Sequence, residues 1–297
     1  MKQLLDIDLG LIRIFLQVVE SNGFSAAQAA LGMNASTISA KMSKLENQLG
    51  YRLCRRGRSG FRLTPQGQVA YEAGRRLLRS VEDFCSEATA LKGRLAGEVR
   101  LGVLDNILHD PNAPLELALR EFLAMPNEVH VTSVTGNPVD LAQKVLQGTL
   151  HLALTSAPQK LPGLNYEALH EEENGLYCGR GHPLFDWASP GPTLEEIRKH
   201  ALIGRAHWMR RGPRLLPGTT PRATVSDVER ELELILTGRF LGLLPLAFAA
   251  PWVTSGELER VAPEQIKWRV PFYVLTKRGY AMPPSATALI QLIREHF

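Results

Sequence analysis

The chain has 297 residues, enough for two or three domains with cores of their own, and its 44% apolar content excludes wholesale disorder. Its three cysteines, Cys54, Cys85 and Cys178, are far apart, odd in number and lack zinc spacing; they exclude a disulfide framework and are expected to sit in a reducing cytoplasm. The formal charge of +4 is uneven: residues 1–95 hold 14 Lys and Arg against 8 Asp and Glu, and the rest holds 20 against 22, so a basic head on a slightly acidic body is expected to meet a polyanion.

The first residues, "MKQLLDIDLGLIRIF", do not read as a signal peptide, because Asp6, Asp8 and Arg13 break the apolar run. No uninterrupted apolar stretch of about 18 residues occurs, so no membrane span and no membrane partner are expected. Leu9, Ile12, Phe15, Leu16 and Val19 form an amphipathic stripe and predict a helix from about Asp8 to Glu20. Ser25 is placed to cap a second, short helix, "AAQAALG", which Gly32 ends. After a short turn, Ile38, Met42, Leu45 and Leu49 mark one stripe of a third helix. Its opposite face carries Ser36, Thr37, Ala40, Lys41, Lys44 and Asn47, all small, hydroxylated, amide or cationic. Such a face suits the major groove of DNA, where bulky core side chains are out of place.

Next comes "YRLCRRGRSGFRLT", which holds Arg52, Arg55, Arg56, Arg58 and Arg62 and no acid. Leu53, Phe61 and Leu63 flank a tip of glycine and arginine, the pattern of a two-stranded ribbon. Guanidinium groups on such a tip suit phosphates or a narrow minor groove. A solvated basic loop is the bland alternative.

The run "FLQVVESNGFSAAQAALGMNASTISAKMSKLENQLGYRLCRRGRSGFRLTPQG" resembles the winged helix-turn-helix of LysR-type transcriptional regulators over about sixty residues. The resemblance implies that helix 36–49 reads bases and that the arginine ribbon is the wing. The DNA contacts expected on that basis are Ser25, Asn34, Ser36, Thr37, Ser39, Lys41, Lys44, Arg55, Arg56, Arg58 and Arg62. Ala35 and Ala40 stand where the family often has a long polar residue and an arginine, and Cys54 replaces a usual phenylalanine. Readout is therefore expected to lean on thymine methyl groups and DNA shape as well as on hydrogen bonds.

Thr64-Pro65 is a helix start. Ala70, Gly74, Leu77, Val81, Phe84, Ala88, Leu91 and Leu95 then recur as a heptad seam, which predicts a linker helix through residue 96 that pairs two copies. The resemblance adds assembly of such pairs into a tetramer.

From Gly97 the texture alternates: strands at 99–103, 129–134 and 150–156, helices at 113–124 and 138–148. A second set runs from "LYCG" (176–179) to "RFLGLLP" (239–245), and "WRVPFYVLTKRG" (268–279) returns to the first. The expected fold is α/β: a winged helix-turn-helix over residues 1–63, a linker over 64–96, and a two-lobed body over 97–297 with a parallel sheet and helices on both faces. Lobe I is placed at 97–163 and 268–297, lobe II at 164–267. The body resembles the periplasmic-binding-protein-like effector domain of the same family through "GEVRLGV", "LHLAL", His182-Pro183-Leu184 and "GRFLGLLP". A small-molecule effector, with an anion favoured by the backbone donors of helix starts, is expected near Asn106, Thr155, Ser156, Arg205 and Asp227.

No catalytic or cofactor motif emerges, so no enzyme and no cofactor are expected. Cys178 and His182 fit no nucleophile-base or metal spacing, Glu171-Glu172-Glu173 reads as a solvated acidic run, and His109-Asp110 reads as a helix cap. Arg205, Arg210, Arg211 and Arg214 form a basic segment that reads as a surface loop, with an anion site as the sharper alternative. The function expected is sequence-specific DNA-binding regulation of transcription under effector control. An architectural DNA coater would have no use for a cleft, and a solute-binding protein would need an export signal and no basic head.

Overall fold

The computed structural model describes residues 8–57, 60–157, 159–187, 191–206 and 219–297, in two compact units, Met1–Cys85 and Ser86–Phe297. In the first unit, α1 (Leu9–Glu20) starts where Asp8 Oδ1 accepts the Gly10 N–H at 2.7 Å. Its apolar face, with Leu11, Phe15 and Val18, is buried. The second helix, α2 (Ala27–Leu31), ends at Gly32 in the left-handed conformation, as expected. Ser25 is not its cap: Ala26 holds that position without a side-chain bond, and Ser25 accepts the Gln28 N–H through its carbonyl instead.

Helix α3 (Ala35–Leu49) is capped by Asn34, whose Oδ1 accepts the Thr37 N–H at 2.8 Å. Ile38, Met42 and Leu45 are buried against α1, and Leu49 is half-buried. The ribbon is the hairpin β1 (Cys54–Gly57) and β2 (Gly60–Leu63), with Arg55 opposite Arg62 and Arg56 opposite Phe61. Phe61 sits edge-on to Phe24 at 6.1 Å and so packs the wing onto the helical core. Cys54 is a small buried hydrophobe.

Helix α4 (Pro65–Ala90) begins at a crowded corner. Thr64 Oγ1 donates to the Arg52 carbonyl and accepts the Gly67 N–H. A Cβ on Gly67 would lie 1.9 Å from the Leu53 carbonyl oxygen, so only glycine fits. Two parts of the expected seam are corrected. Ala70 and Gly74 face their own unit: Gly74 is buried 3.1 Å from Ile12 Cγ2 as measured from an ideal Cβ, and Ala70 packs on the same core. The helix also stops at Ala90, not at 96, because Lys92 and Gly93 close a turn and Leu95 already pairs with Asn127 in a sheet.

The second unit is a mixed sheet with both faces covered. Its first lobe has β3 (Leu95–Val103) in parallel between β4 (Asn127–Thr135) and β5 (Leu152–Ser156). Helices α5 (Leu115–Ala124) and α6 (Pro138–Leu146) connect them; Phe122 and Leu141 are fully buried on opposite faces. The next strand, β6 (Leu164–Gly179), is sixteen residues long. After it come α7 (Leu194–Ile197), β7 (Ile203–Arg205), β8 (Ala223–Val225), α8 (Val228–Leu236), β9 (Leu241–Pro245), α9 (Leu246–Thr254) and β10 (Leu258–Val261). Then β11 (Trp268–Lys277) and α10 (Pro284–His296) close the chain.

The expected parallel sheet is therefore only half right. β11 runs antiparallel to β5 and to β6, and β6 runs antiparallel to β9 and β10. The reason is that β6 leaves the first lobe and β11 returns to it, side by side and in opposite senses. Residues 164–174 pair with β11, while 174–179 pair with β9 and β10, so the change of lobe falls inside β6 and not at its start. No helix among the described residues is long and apolar enough to cross a membrane.

Candidate functional site

The basic head presents one continuous polar face. On α3, Ser36, Thr37, Ala40 and Lys44 are exposed, Lys41 and Ser39 half-buried. Asn34 and Ser36 are tied together, since Ser36 Oγ donates to Asn34 Oδ1 at 2.7 Å. The cap thus occupies Asn34 Oδ1, while the side chains of Thr37 and Lys44 stay exposed. Glu46, on the next turns, accepts the Leu53 N–H at 2.7 Å and so fixes where the wing leaves the helix. Arg55 and Arg62 are exposed neighbours across the hairpin. An open concavity of about 550 Å³ beside the hairpin is lined by Tyr51, Arg52, Arg55, Thr64 and Gln66. The side chain of Arg56 and the whole of Arg58 lie outside the described residues. So do Arg210, Arg211 and Arg214 of the basic segment in the body.

In the body, one of the five expected effector residues reaches the cavity between the lobes. Asn106, held at φ +60°, lines a space of about 160 Å³ together with Asp110, Glu171, Glu172, Glu173 and Phe248. Thr155 and Ser156 are buried at the end of β5, and Ser156 lines a separate cavity of about 50 Å³ beside Tyr166. Arg205 is committed to structure: its Nε donates to Glu231 Oε2 at 2.5 Å and its Nη2 to the Leu243 carbonyl at 2.7 Å. Asp227 caps α8, accepting the Arg230 N–H at 2.9 Å.

The expected anion site at the start of α8 is overturned by the same geometry. The Val228 N–H is taken by Asp105 Oδ2 at 2.7 Å, across from the first lobe, and the Arg230 N–H by Asp227. The helix dipole is satisfied by the protein's own carboxylates.

The acidic run is not a solvated patch either. Strand alternation turns Glu171 and Glu173 outward and buries Glu172. Glu172 Oε1 faces Asn106 Nδ2 at 3.5 Å and Oε2 faces Asn174 Nδ2 at 3.3 Å. Burial raises its pKa, with the nearby Asp110 charge adding to it. Asp110 is no partner of His109: it accepts from Asn112 N and pairs with His170 Nε2 at 2.6 Å, and His170 stacks on Phe272. His109 instead meets Phe248 edge-on at 5.3 Å. The end of the first strand pointed to Asp105 along with Asn106, but sequence reasoning missed His170 and Phe248 and read Glu172 as solvated; alternation through Glu171–Glu173 was the one local signal available for its burial.

Cys178 is buried, and burial pushes its thiol up to about 12, which leaves it protonated at neutral pH. Among the described residues, no cluster of three His, Cys, Asp or Glu is placed to hold a metal ion. His182 Nδ1 accepts the Leu184 N–H, which requires the neutral ring. Burial, followed by the charge of His200, brings its pKa down to about 4. The folded state therefore resists a proton that the unfolded chain takes up near pH 6.5, and stability falls as pH drops through that window. The loss by pH 5 is expected to be about 2 kcal/mol. Urea midpoints at pH 7 and pH 5 check it; His182→Leu should show a smaller difference between the two.

Residues 9–68 match the family model "Bacterial regulatory helix-turn-helix protein, lysR family", and residues 92–297 match "LysR substrate binding domain". The HTH-type transcriptional activator BauR of Pseudomonas aeruginosa is 35% identical over 284 residues, 93% of this chain and 91% of that protein. The SDS degradation transcriptional activation protein of a Pseudomonas species is 26% identical, covering 96% of this chain and 95% of the relative. Among solved structures, full-length CbnR complexed with its target DNA superposes with a TM-score of 0.67 at 20% identity, over 98% of this chain and 100% of that one. ArgP from Mycobacterium tuberculosis gives 0.64 at 20% identity, over 98% and 97%. At that identity the two structures speak for the fold alone.

Proposed function

Because this chain belongs to the LysR family of bacterial transcriptional regulators, we propose that it binds a bounded, two-part site on double-stranded DNA and that a small molecule in its body changes how it holds that site. The observation that carries the reading is the exposed small, polar and cationic face of α3 beside an exposed Arg55–Arg62 pair on the hairpin. A helix of that kind enters a major groove while the wing meets phosphates alongside. CbnR, which shares the fold, has been seen on its target DNA. Thr37 and Lys41 read bases, Arg55 and Arg58 supply affinity, and Asn34, Ser36, Ser39, Lys44, Arg56 and Arg62 position the helix and wing. Ser25 contacts the backbone at the start of α2.

Two copies pair through the part of α4 that leaves its own core, where Leu77 and Phe84 are exposed and Val81 is half-buried, and pairs join into a tetramer. The match to a substrate-binding domain and the cavity between the lobes support effector control. Control requires two states of the body that bind the effector with different affinity. The protein works in the cytoplasm, and its three cysteines form no disulfide.

A footprint on the DNA next to the chain's own gene tests the reading. A bounded footprint in two parts supports it; uniform coverage overturns it in favour of an architectural protein. Arg55→Ala is expected to weaken binding to all sequences about equally and to reduce the salt slope by about 1, measured by fluorescence anisotropy from low to high salt. If that variant lost discrimination between sites instead, the roles of wing and helix would be reversed.

A further inference from the structure

One side chain in the head ties together parts that do different work. Helix α2 is five residues long, Ala27 is its one buried residue, and Ala26 at the cap position makes no side-chain bond. A helix so short does not hold its place by propensity. Gln28 supplies what is missing. Its carbonyl accepts the N–H of Gly32 and, at 3.3 Å, that of Met33, which closes the turn after α2. Its side-chain Oε1 accepts the Ala35 N–H at 3.1 Å, the first amide of α3. Its Nε2 donates back to the Ser25 carbonyl at 3.2 Å, which also accepts the Gln28 backbone N–H at 3.4 Å.

The two side-chain bonds fix the orientation of the amide, since its oxygen meets a donor and its nitrogen an acceptor. They also span the motif from one end to the other. Ser25 stands at the entry to α2, and Ala35 opens the helix whose exposed face is offered to bases. On the far side of the same turn, Asn34 Oδ1 takes the Thr37 N–H. Of the amides of Ala35, Ser36 and Thr37, the first and third are thus spent inside the protein. The start of α3 is set by Gln28 on one side and by Asn34 on the other before DNA arrives, and a start already fixed need not be ordered on docking.

We propose that Gln28 is a positioning residue for base readout: it clasps α2 to the first residue of α3 and so sets how Ser36, Thr37 and Lys41 meet the base edges. The inference rests on the reading of the head as a sequence-specific DNA binder, and adds the residue that links a phosphate foothold at Ser25 to register at α3. Hydrogen bonds and methyl contacts to base edges are lost by small displacements, whereas Lys and Arg on flexible stems follow a phosphate through them. The clasp therefore bears on specificity and not on the electrostatic part of affinity.

The test compares the full chain with its Gln28→Met variant, which keeps the size and helix propensity of glutamine and lacks both side-chain bonds. The probes are a duplex carrying the segment footprinted beside the chain's own gene and a duplex with the same bases shuffled, both read by fluorescence anisotropy. Gln28→Met is expected to lower affinity for the first duplex about tenfold or more, the scale of one lost base contact, and to leave affinity for the shuffled duplex and its salt slope unchanged. Gln28→Glu keeps an acceptor for the Ala35 N–H and adds a negative charge; it should weaken both duplexes alike and preserve the ratio between them. Equal losses on both duplexes in Gln28→Met, no loss on either, or a collapsed ratio in Gln28→Glu would overturn the proposal. Should Gln28→Met fail to fold, Gln28→Ala removes the same bonds in a stronger helix former and is read in the same way. Failure of both to fold makes Gln28 a purely structural residue and overturns the proposal too. The parent separates the two readings. A parent that prefers the footprinted duplex no more than Gln28→Met does refutes the clasp alone, and a parent with no preference refutes the sequence-specific regulator together with it.

Discussion

Replacing Arg205 with Met is expected to cost the body about 3–5 kcal/mol, the range found when one partner of a buried ion pair is removed. Both partners are almost wholly inaccessible: the side chains of Arg205 and Glu231 are 2% and 1% exposed. Glu231 already has its pKa raised by burial, against the pull of Arg205. Without the guanidinium, its carboxyl keeps only the Leu243 N–H at 2.8 Å and must take up a proton to stay inside. The sign of the pH effect follows. A carboxyl whose pKa is raised on folding favours the folded state at low pH and loses that contribution as pH rises through the raised value. The deficit of Arg205→Met relative to the parent should therefore shrink as pH is lowered from 8 to 5. The double variant Arg205→Met with Glu231→Leu should regain most of the loss, because two apolar groups of similar volume need no counter-charge. Urea unfolding of the parent and the two variants at both pH values measures this. A single variant as stable as the parent would show that the pair is not what holds α8 to the sheet.

Gly67→Ala is expected to destabilise the head by at least about 3 kcal/mol, beyond ordinary overpacking, and to abolish DNA binding at temperatures where the parent is folded. The added Cβ would fall 1.9 Å from the Leu53 oxygen and 2.8 Å from its carbonyl carbon, both backbone atoms of a residue with no exposure. Relief requires moving either the wing or the first turn of α4. Gly74→Ala is the natural control. There the new Cβ meets only side chains, Ile12 Cγ2 at 3.1 Å and Leu16 Cδ2 at 3.4 Å, and the helix gains up to about 1 kcal/mol of propensity. Its net effect should be small. Melting curves and DNA affinity for the pair decide the matter: equal losses would place the cause in helix chemistry and not in the corner.

Local patterns carried the head almost completely into view. The stripe Ile38, Met42, Leu45 and the terminal Gly32 are each set by neighbours a few residues away, and each appears where the pattern placed it; Asp8, where the first helix was expected to begin, is its cap. The second half of the molecule was legible as elements but not as a site. Arg205 pairs with Glu231 twenty-six residues on, and Asp105 reaches Val228 across 123; no spacing announces such a contact. Those two bonds removed Arg205 and the start of α8 from the candidate effector residues. The start of the α4 seam misled for a different reason: Gly74 and Ala70 look like a thin partner face, yet smallness there serves close approach of α1. Glu172 was hidden by its exposed neighbours, since three acids in a row read as hydrated until the strand's alternation is imposed.

The sixteen residues of β6 have a mechanical meaning. Loops can act as free pivots between rigid parts, but here the connection is a hydrogen-bonded ribbon that belongs to both parts at once. Turning one half against the other would have to twist β6 and its antiparallel companion β11 together, against the cross-strand hydrogen bonds that tie β6 to both halves.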